Sequence, residues 1–374
     1  MTDFHLEIPA QTIRFGPGAV SQLAGAIEQA GWRRVMVCTT PNSRARGHLD
    51  AIEAALGQHL AISYEGVEPH VPALQVGDAA ALGDRYHVDA VIGLGGGSSI
   101  GTAKAVSMTL QSPPVGTTRV PVIAIPTTYA GSEMTPVFGV TQVENGVPRK
   151  VTRSDIRVTP RIVIYDPLLT LDLPPRMSAG TGINAVAHCV EALYSVTRNP
   201  LASAAASGGL RAMAHALVRC FTQGNDVAAR TEMLGGAFLA GSALAHVAMG
   251  LHHGICHVLG GTTGVAHGDA NSVMLPHVMR FNALIVAPQL AEVAMAMGIA
   301  PGGRSDEALA EAAAEQVAEW VAQMRLPARL RDVGIKARQL PDLARMAFAS
   351  RTVQQNPRPI GDVAEIETLL RAAW

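Results

Sequence analysis

In the first half of the chain, apolar residues fall in short runs that end at glycine or proline, with stretches of helical spacing between them. Gln11–Phe15 reads as a strand broken by Gly16-Pro17-Gly18, and Val20–Ala30 as a helix. Arg34–Thr39, ending just before Pro41, is a compact run suited to a buried parallel strand. Leu49–His59, Val76–Tyr86 and Ile100–Leu110 have helical spacing. Ala61–Glu65, Ala90–Leu94, Val120–Ile125 and Ile162–Tyr165 read as strands. This alternation predicts a parallel sheet with helices on both faces.

Beyond about residue 166 strand signals stop and alanine-rich amphipathic segments take over. Ser178–Val196, Leu201–Phe221, Asp226–Val247, Gly250–Leu259, Leu275–Phe281, Asp306–Met324 and Leu340–Phe348 all read as helices. The fold class predicted is an α/β dinucleotide-binding domain over 1–165 followed by an all-α catalytic domain over 166–374. The cleft between two such halves is a common place for an active site.

Composition narrows the function classes. Net charge is −1 and no basic block alternates with aromatics, which argues against a nucleic-acid partner. The 4 cysteines are scattered without a CxxC pair, as expected of a reducing cytoplasm rather than a disulfide scaffold. The N-terminus lacks a basic segment followed by an apolar run, so no secretory signal is expected. Residues 233–268 contain no Asp, Glu, Lys or Arg, which is long enough to span a bilayer. Their density of glycine and histidine, with no flanking aromatic belt, favours a buried helix pair and no membrane partner.

Two segments are candidates for holding a cofactor. Strand Ala90–Leu94 runs into Gly95-Gly96-Gly97-Ser98 and then a helix, an arrangement whose free N–H groups suit a pyrophosphate. The spacing of Gly93, Gly95, Gly96 and Gly97 is not GxGxxG, and Thr39-Thr40 stands where an acidic ribose clamp would end the strand. The simpler reading is a tight packing turn. The second segment, Pro126 to Thr135, lies beyond a strand end and carries hydroxyls at Thr127, Thr128 and Thr135. It reads equally as a turn that caps a helix.

The uncharged stretch holds five histidines: His246, His252, His253, His257 and His267. Core seldom tolerates so many imidazoles without a reason. His253 and His257 lie four apart and share a helix face, as do Asn184 and His188, with Glu191 on the same line. Asn184, His188, His253, His257 and His267 therefore form a candidate cluster, whereas His246 and His277 read better as satisfied core residues. A metal site wants imidazoles and usually a carboxylate, and position 184 offers only a neutral amide.

The segments FGPGAV, GLGGGSSIGTAKAV, PTT, VIYDP, GINAVAHCVEALYS, GLHHGICHVLGG and HGDANSVMLPHV together resemble the iron-containing alcohol dehydrogenase family, over nearly the whole chain. Within it, PTTYAGSEMTPVFGVT resembles the maleylacetate reductase branch, where metal-dependent members have a TxGTGSE-like version. The resemblance implies the dehydroquinate synthase-like two-domain fold, NADH or NADPH as coenzyme, and a homodimer. It implies that Gly95, Gly96, Gly97 and Ser98 hold the pyrophosphate, with Thr127, Thr128 and Thr135 lining the nicotinamide side. Thr39 and Thr40, in place of an acidic clamp, leave room for a 2′-phosphate at the coenzyme site, so NADPH is expected to be accepted too. The family's metal positions fall on Asn184, His188, His253 and His267. The first is normally Asp, so the expectation is a site working without metal, with His257 a further histidine beside the nicotinamide.

The activity this implies is reduction of maleylacetate, or a chloro-substituted form, to 3-oxoadipate in the breakdown of aromatic compounds. His253 is the expected acid, acting as imidazolium, while His188, His257 and His267 shape the pocket. Arg149 and Lys150 are candidates for holding a carboxylate of the dicarboxylate substrate. Three alternatives remain: an iron- or zinc-dependent alcohol dehydrogenase acting on a small alcohol or aldehyde, a lyase similar to dehydroquinate synthase, and a non-catalytic scaffold.

Overall fold

The computed structural model describes the chain except residues 1–3, 112, 114, 115, 145 and 146, and the side chains of 144–150. Two compact units emerge. One is Glu7–Leu173; the other is Pro174–Trp374, which groups with the few residues before Glu7. The sequence boundary at 165/166 marks the end of the last strand. The units part eight residues later, after the turn Pro167–Thr170.

The Glu7–Leu173 unit is built on a parallel sheet. Its strands are β1 (Thr12–Phe15), β2 (Val35–Cys38), β3 (Leu60–Tyr64), β4 (Ala90–Gly95), β5 (Val122–Pro126) and, after a hairpin, β8 (Ile162–Tyr165). Their order is β1-β8-β5-β4-β2-β3, all parallel. Side chains alternate across the sheet. Val35, Val37, Ile92 and Ile123 pack on one face, against Leu23 and Ile27 of α1 (Leu23–Ala30) and Ile52 of α3 (His48–Leu56). Met36, Cys38, Val91 and Val122 pack on the other, against Ala79 of α4 (Ala73–Arg85) and Val106 of α5 (Gly97–Thr109). The short α2 (Pro41–Ala45) starts directly after β2 on Pro41, which is pre-set for a first helical turn.

β2 continues to β3 on one side of the sheet, and β4 continues to β5 on the other. The carboxyl ends of β2 and β4 therefore flank a topological switch point, where open α/β sheets hold ligands.

The antiparallel hairpin β6 (Val137–Glu144) and β7 (Val147–Ser154) has no counterpart in the strands read from the sequence. The Asn145-Gly146 pair in the sequence is the signal that would have found it. Arg149 and Lys150 belong to β7, but their side chains lie outside the described residues.

The Pro174–Trp374 unit contains helices and short turns. The helices are α6 (Pro175–Tyr194), α7 (Pro200–Thr222), α8 (Val227–Ala245), α9 (Leu251–Thr263), α10 (His267–Ala296), α11 (Asp306–Gln323), α12 (Leu340–Phe348) and α13 (Val363–Ala372). α10 is far longer than the Leu275–Phe281 read from the sequence. Pro276 and Pro288 suggested breaks, but the chain absorbs them with a kink at Val286 (φ −118°, ψ 27°). α10 is long and apolar enough to cross a membrane by composition; half of its most apolar window is buried inside the protein.

Candidate active site

The helical unit brings the candidate histidines together. α6 places Asn184, His188 and Glu191 on one buried line, with Glu191 0% exposed. α9 contributes His252 and His253, both buried, and His257, which is exposed. α10 contributes His267 at its exposed first residue. The approach of α10 to α6 depends on two glycines. A Cβ added at Gly268 would lie 2.8 Å from the Cα of Gly180, so neither position has room for a side chain. Gly268 follows His267 directly, and this backbone contact sets that ring beside α6.

The rings of His188 and His253 stack, with centroids 4.7 Å apart and planes at 13°. His257 and His267 stack at 5.8 Å, and each lies 6.2 Å from His253. The site thus grades from a buried floor, His188 and His253, to an exposed rim, His257 and His267. His246 stands apart, its Nδ1 against the Ser242 carbonyl at 2.7 Å, as expected of a satisfied residue. His277 lines a separate cavity with Arg280, Phe281 and Arg358.

Glu191 is the functional residue that sequence reasoning left without a role. Its Oε1 accepts the His252 backbone N–H at 3.0 Å. Its Oε2 accepts those of Gly250 and His253 at 3.2 and 3.3 Å and faces His253 Nδ1 at 2.6 Å. An acidic residue alone in an apolar helix, seven positions beyond Asn184, was the available signal.

The floor carries three buried polar atoms with no protein partner: Asn184 Oδ1, His188 Nδ1 and His253 Nε2. Buried polar atoms are normally satisfied, so such a group marks a ligand position. Burial holds the His188 imidazole well below its ordinary range, and the neighbouring rings push it further down. His253 is likewise lowered well below that range, by burial first and then by His257 and His267. Burial lowers His252 to about 3. Burial and the neighbouring rings therefore favour the neutral form of His253, against the sequence expectation of a resident imidazolium.

The residues fit a metal poorly. An ion shared by His188 and His253 must lie near both ring planes, yet those rings stack with planes at 13° and centroids 4.7 Å apart. Among the described residues, the one trio of His, Cys, Asp or Glu with ligand atoms within 4.8 Å of each other is Glu191, His252 and His253. That carboxylate is already engaged by backbone N–H groups and the His253 ring, and His252 Nε2 faces Cys256 Sγ at 3.6 Å.

In the α/β unit, Gly95 ends β4 with φ +134°, a conformation that favours glycine. A Cβ there would lie 2.7 Å from Ser99 Oγ, and one at Gly96 would lie 3.1 Å from Thr128. Gly96, Gly97 and Ser98 form the partly exposed start of α5, with no side-chain cap and no acidic residue in the first turn. Such a helix start has N–H groups and a positive dipole end open to an anion. Thr127 and Thr128 follow β5 beside it, with Thr127 N–H bonded to the Gly95 carbonyl at 3.1 Å.

Two hydroxyls assigned to the coenzyme are used elsewhere. Thr39 is fully buried, and its Oγ1 donates to the Leu94 carbonyl at 2.9 Å, tying β2 to β4. Thr135 is buried, and its Oγ1 donates to the carbonyls of Ser132 (3.4 Å) and Val137 (3.5 Å); Lys104 Nζ beside it donates to the carbonyls of Ser132 (2.6 Å), Thr135 (2.7 Å) and Val137 (3.0 Å). Both residues brace the unit.

Residues 10–167 match the iron-containing alcohol dehydrogenase family model, and residues 178–374 match the C-terminal model of the Fe-containing alcohol dehydrogenase family. The chain is 38% identical over 360 residues to maleylacetate reductase of Pseudomonas knackmussii, covering 96% of this chain and 94% of that one. It is 37% identical to maleylacetate reductase 1 of Cupriavidus pinatubonensis, covering 100% of this chain and 98% of the relative. Among solved structures, maleylacetate reductase from a Rhizobium species superposes with a TM-score of 0.87 at 36% identity, covering 100% of this chain and 99% of that chain. A 1,3-propanediol oxidoreductase reaches a TM-score of 0.93 at 30% identity over 100% of both chains. The glycine-started α5, the histidine floor and these full-length matches together place the chain in the iron-containing alcohol dehydrogenase family.

Proposed function

We propose that this protein reduces maleylacetate, or a chloro-substituted maleylacetate, to 3-oxoadipate with a reduced nicotinamide coenzyme, and does so without a bound metal. The observation that carries this reading is Asn184 standing with three histidines, in a chain whose relatives are maleylacetate reductases at 36–38% identity. Gly95, Gly96, Gly97 and Ser98 at the α5 start would hold the pyrophosphate, with Thr127 and Thr128 beside it. The coenzyme supplies the hydride when bound.

Maleylacetate has a C=C bond conjugated to a ketone. Hydride at the carbon β to the ketone leaves an enolate, and a proton on the adjacent carbon completes 3-oxoadipate. This chain has to steady that oxyanion and deliver the proton. His253 is the group for the proton, through Nε2, the ring atom without a protein partner. Burial favours the neutral ring at rest, so the ring takes up a proton as the dianionic substrate arrives, because opposite charge favours imidazolium. The Asn184 amide and His188 line the same floor as polar neighbours for the substrate oxygens.

NADH is favoured over NADPH in this reading. Arg44, four residues beyond Thr40, is the nearby candidate for a 2′-phosphate. Its guanidinium is already engaged by Asp50 at 2.6 Å and by Glu53 and Glu65 at 2.9 Å. We also place the protein in the cytoplasm, as a homodimer serving the breakdown of aromatic compounds, with no nucleic-acid or membrane partner. Its cysteines are all free and buried, which suits a reducing compartment.

The test is coenzyme oxidation by the purified protein with maleylacetate, beside a panel of small aldehydes. Stoichiometric 3-oxoadipate supports the reading. Turnover confined to aldehydes or alcohols would assign the chain to a metal-dependent alcohol dehydrogenase activity instead.

A further inference from the structure

We infer that Glu191 is a positioning residue that fixes the tautomer of His253. The inference rests on the reading of His253 as the proton-delivering group and goes beyond it by naming what prepares that group. Glu191 is fully buried on α6, and its carboxylate does two things at once. It accepts three backbone N–H groups at the start of α9, from Gly250, His252 and His253. Gly250, the residue that opens that helix, has no side chain to cap it, so the carboxylate supplies the cap from a neighbouring helix.

The same carboxylate sits 2.6 Å from His253 Nδ1. Burial raises the Glu191 carboxyl above its ordinary range, while the His252 ring and the three backbone N–H groups oppose that shift and favour the carboxylate. The carboxylate form accepts only, so it holds the ring hydrogen on Nδ1 and leaves the lone pair on Nε2. Nε2 is the atom left unpartnered in the floor, beside His188 Nδ1 and Asn184 Oδ1. Without Glu191 the two tautomers compete, and the Nε2–H form cannot accept the proton it must later donate. The three backbone bonds fix the carboxylate, so the ring it holds has little freedom to turn.

Glu191→Gln alters tautomer control and part of the cap together, because Oε2 faces His253 Nδ1 and also accepts the Gly250 and His253 N–H groups. A Gln carbonyl oxygen in the Oε1 place still accepts the His252 N–H, and the amide nitrogen, a donor, then stands in the Oε2 place. Turned toward His253, it forces Nδ1 to accept and moves the ring hydrogen to Nε2. The expected result is a lowered melting temperature, from the two cap bonds lost at Oε2, a coenzyme KM within about twofold, and kcat with maleylacetate lowered roughly 10²–10⁴-fold. Nitrogen-15 NMR of histidine-labelled protein, with His253 assigned through His253→Ala, reads the tautomer directly. The wild type should show the hydrogen on Nδ1 and the variant should show it on Nε2.

The NMR measurement needs no substrate, so it stands even if maleylacetate proves not to be turned over. It also stands if the variant fails to fold, since the wild type alone must show the Nδ1–H form. A wild-type ring protonated on Nε2 overturns the inference. So does a variant with unaltered kcat, or one that loses kcat with the hydrogen still on Nδ1.

Discussion

Two helix starts, one in each unit, meet the same electrostatic demand in opposite ways. α5 begins on Gly96 and α9 on Gly250, and neither opening residue has a side chain to cap the first turn. At α5 the first turn contains no acidic residue, and its glycines leave backbone N–H groups within reach of a bound group. At α9 the position is taken by Glu191 of the protein itself. An anion is favoured at both places by the helix dipole. Where the chain leaves the position open, the N–H groups stay available to the coenzyme pyrophosphate proposed above. Where it fills the position, it gains a fixed carboxylate 2.6 Å from the His253 ring.

The largest expected effect lies at α9. His253→Ala should cut turnover roughly 10²–10⁴-fold if the ring delivers the proton. Retained steady-state turnover would remove that residue from the chemistry and leave Glu191 as a cap alone.

At α5 the matching change is Gly95→Val. It forces a side chain onto a backbone at φ +134° and toward Ser99 Oγ, 2.7 Å from the nearest Cβ position. Strain of about 1–3 kcal/mol should appear mainly as weaker coenzyme binding, on the order of tenfold or more in KM, with kcat at saturation largely kept. Equal losses in KM-independent turnover would mean that this helix start does more than bind.

A smaller effect concerns coenzyme choice. kcat/KM should favour NADH over NADPH by on the order of tenfold, because three carboxylates surround Arg44. Glu65→Gln should narrow the ratio. A preference for NADPH in the wild type would show that Arg44 leaves its carboxylates for the phosphate.

A separate effect, on stability rather than turnover, comes from Lys104, the buried amine of α5. Burial lowers this amine to about 7, with Glu133 opposing the shift. The unfolded value is about 10.4, so between the two the unfolded chain binds more protons. Stability should therefore rise as pH increases from about 7 towards 10. Thermal melts of wild type and Lys104→Met at pH 7 and 9 check this. An identical pH slope in the variant would mean that Lys104 keeps its charge throughout.

Much of this arrangement was legible in the sequence because its signals are local. The continuous apolar run in Val35–Cys38, buried on both sides, and Gly95-Gly96 at a strand end are properties of a few consecutive residues. The histidines stood out because their surroundings carry no charge. What escaped depends on partners far along the chain. Glu191 acts on residues 59 to 62 positions away. Thr39 and Thr135 read as ligand hydroxyls because nothing nearby shows that the Leu94 carbonyl engages the first, and Lys104 with the Ser132 and Val137 carbonyls the second. α10 was read short because a proline weighs against a helix locally, while tertiary packing of Val286 and its neighbours carries the helix through a kink.

The central claim is that neutral imidazoles, set by a carboxylate and lacking an acidic ligand at position 184, perform this reduction without metal. The most direct measurement is NADH oxidation with maleylacetate by protein dialysed against a strong chelator and checked for metal content. Full turnover in metal-free protein is the predicted result. Loss of turnover that Fe²⁺ or Zn²⁺ restores would contradict it.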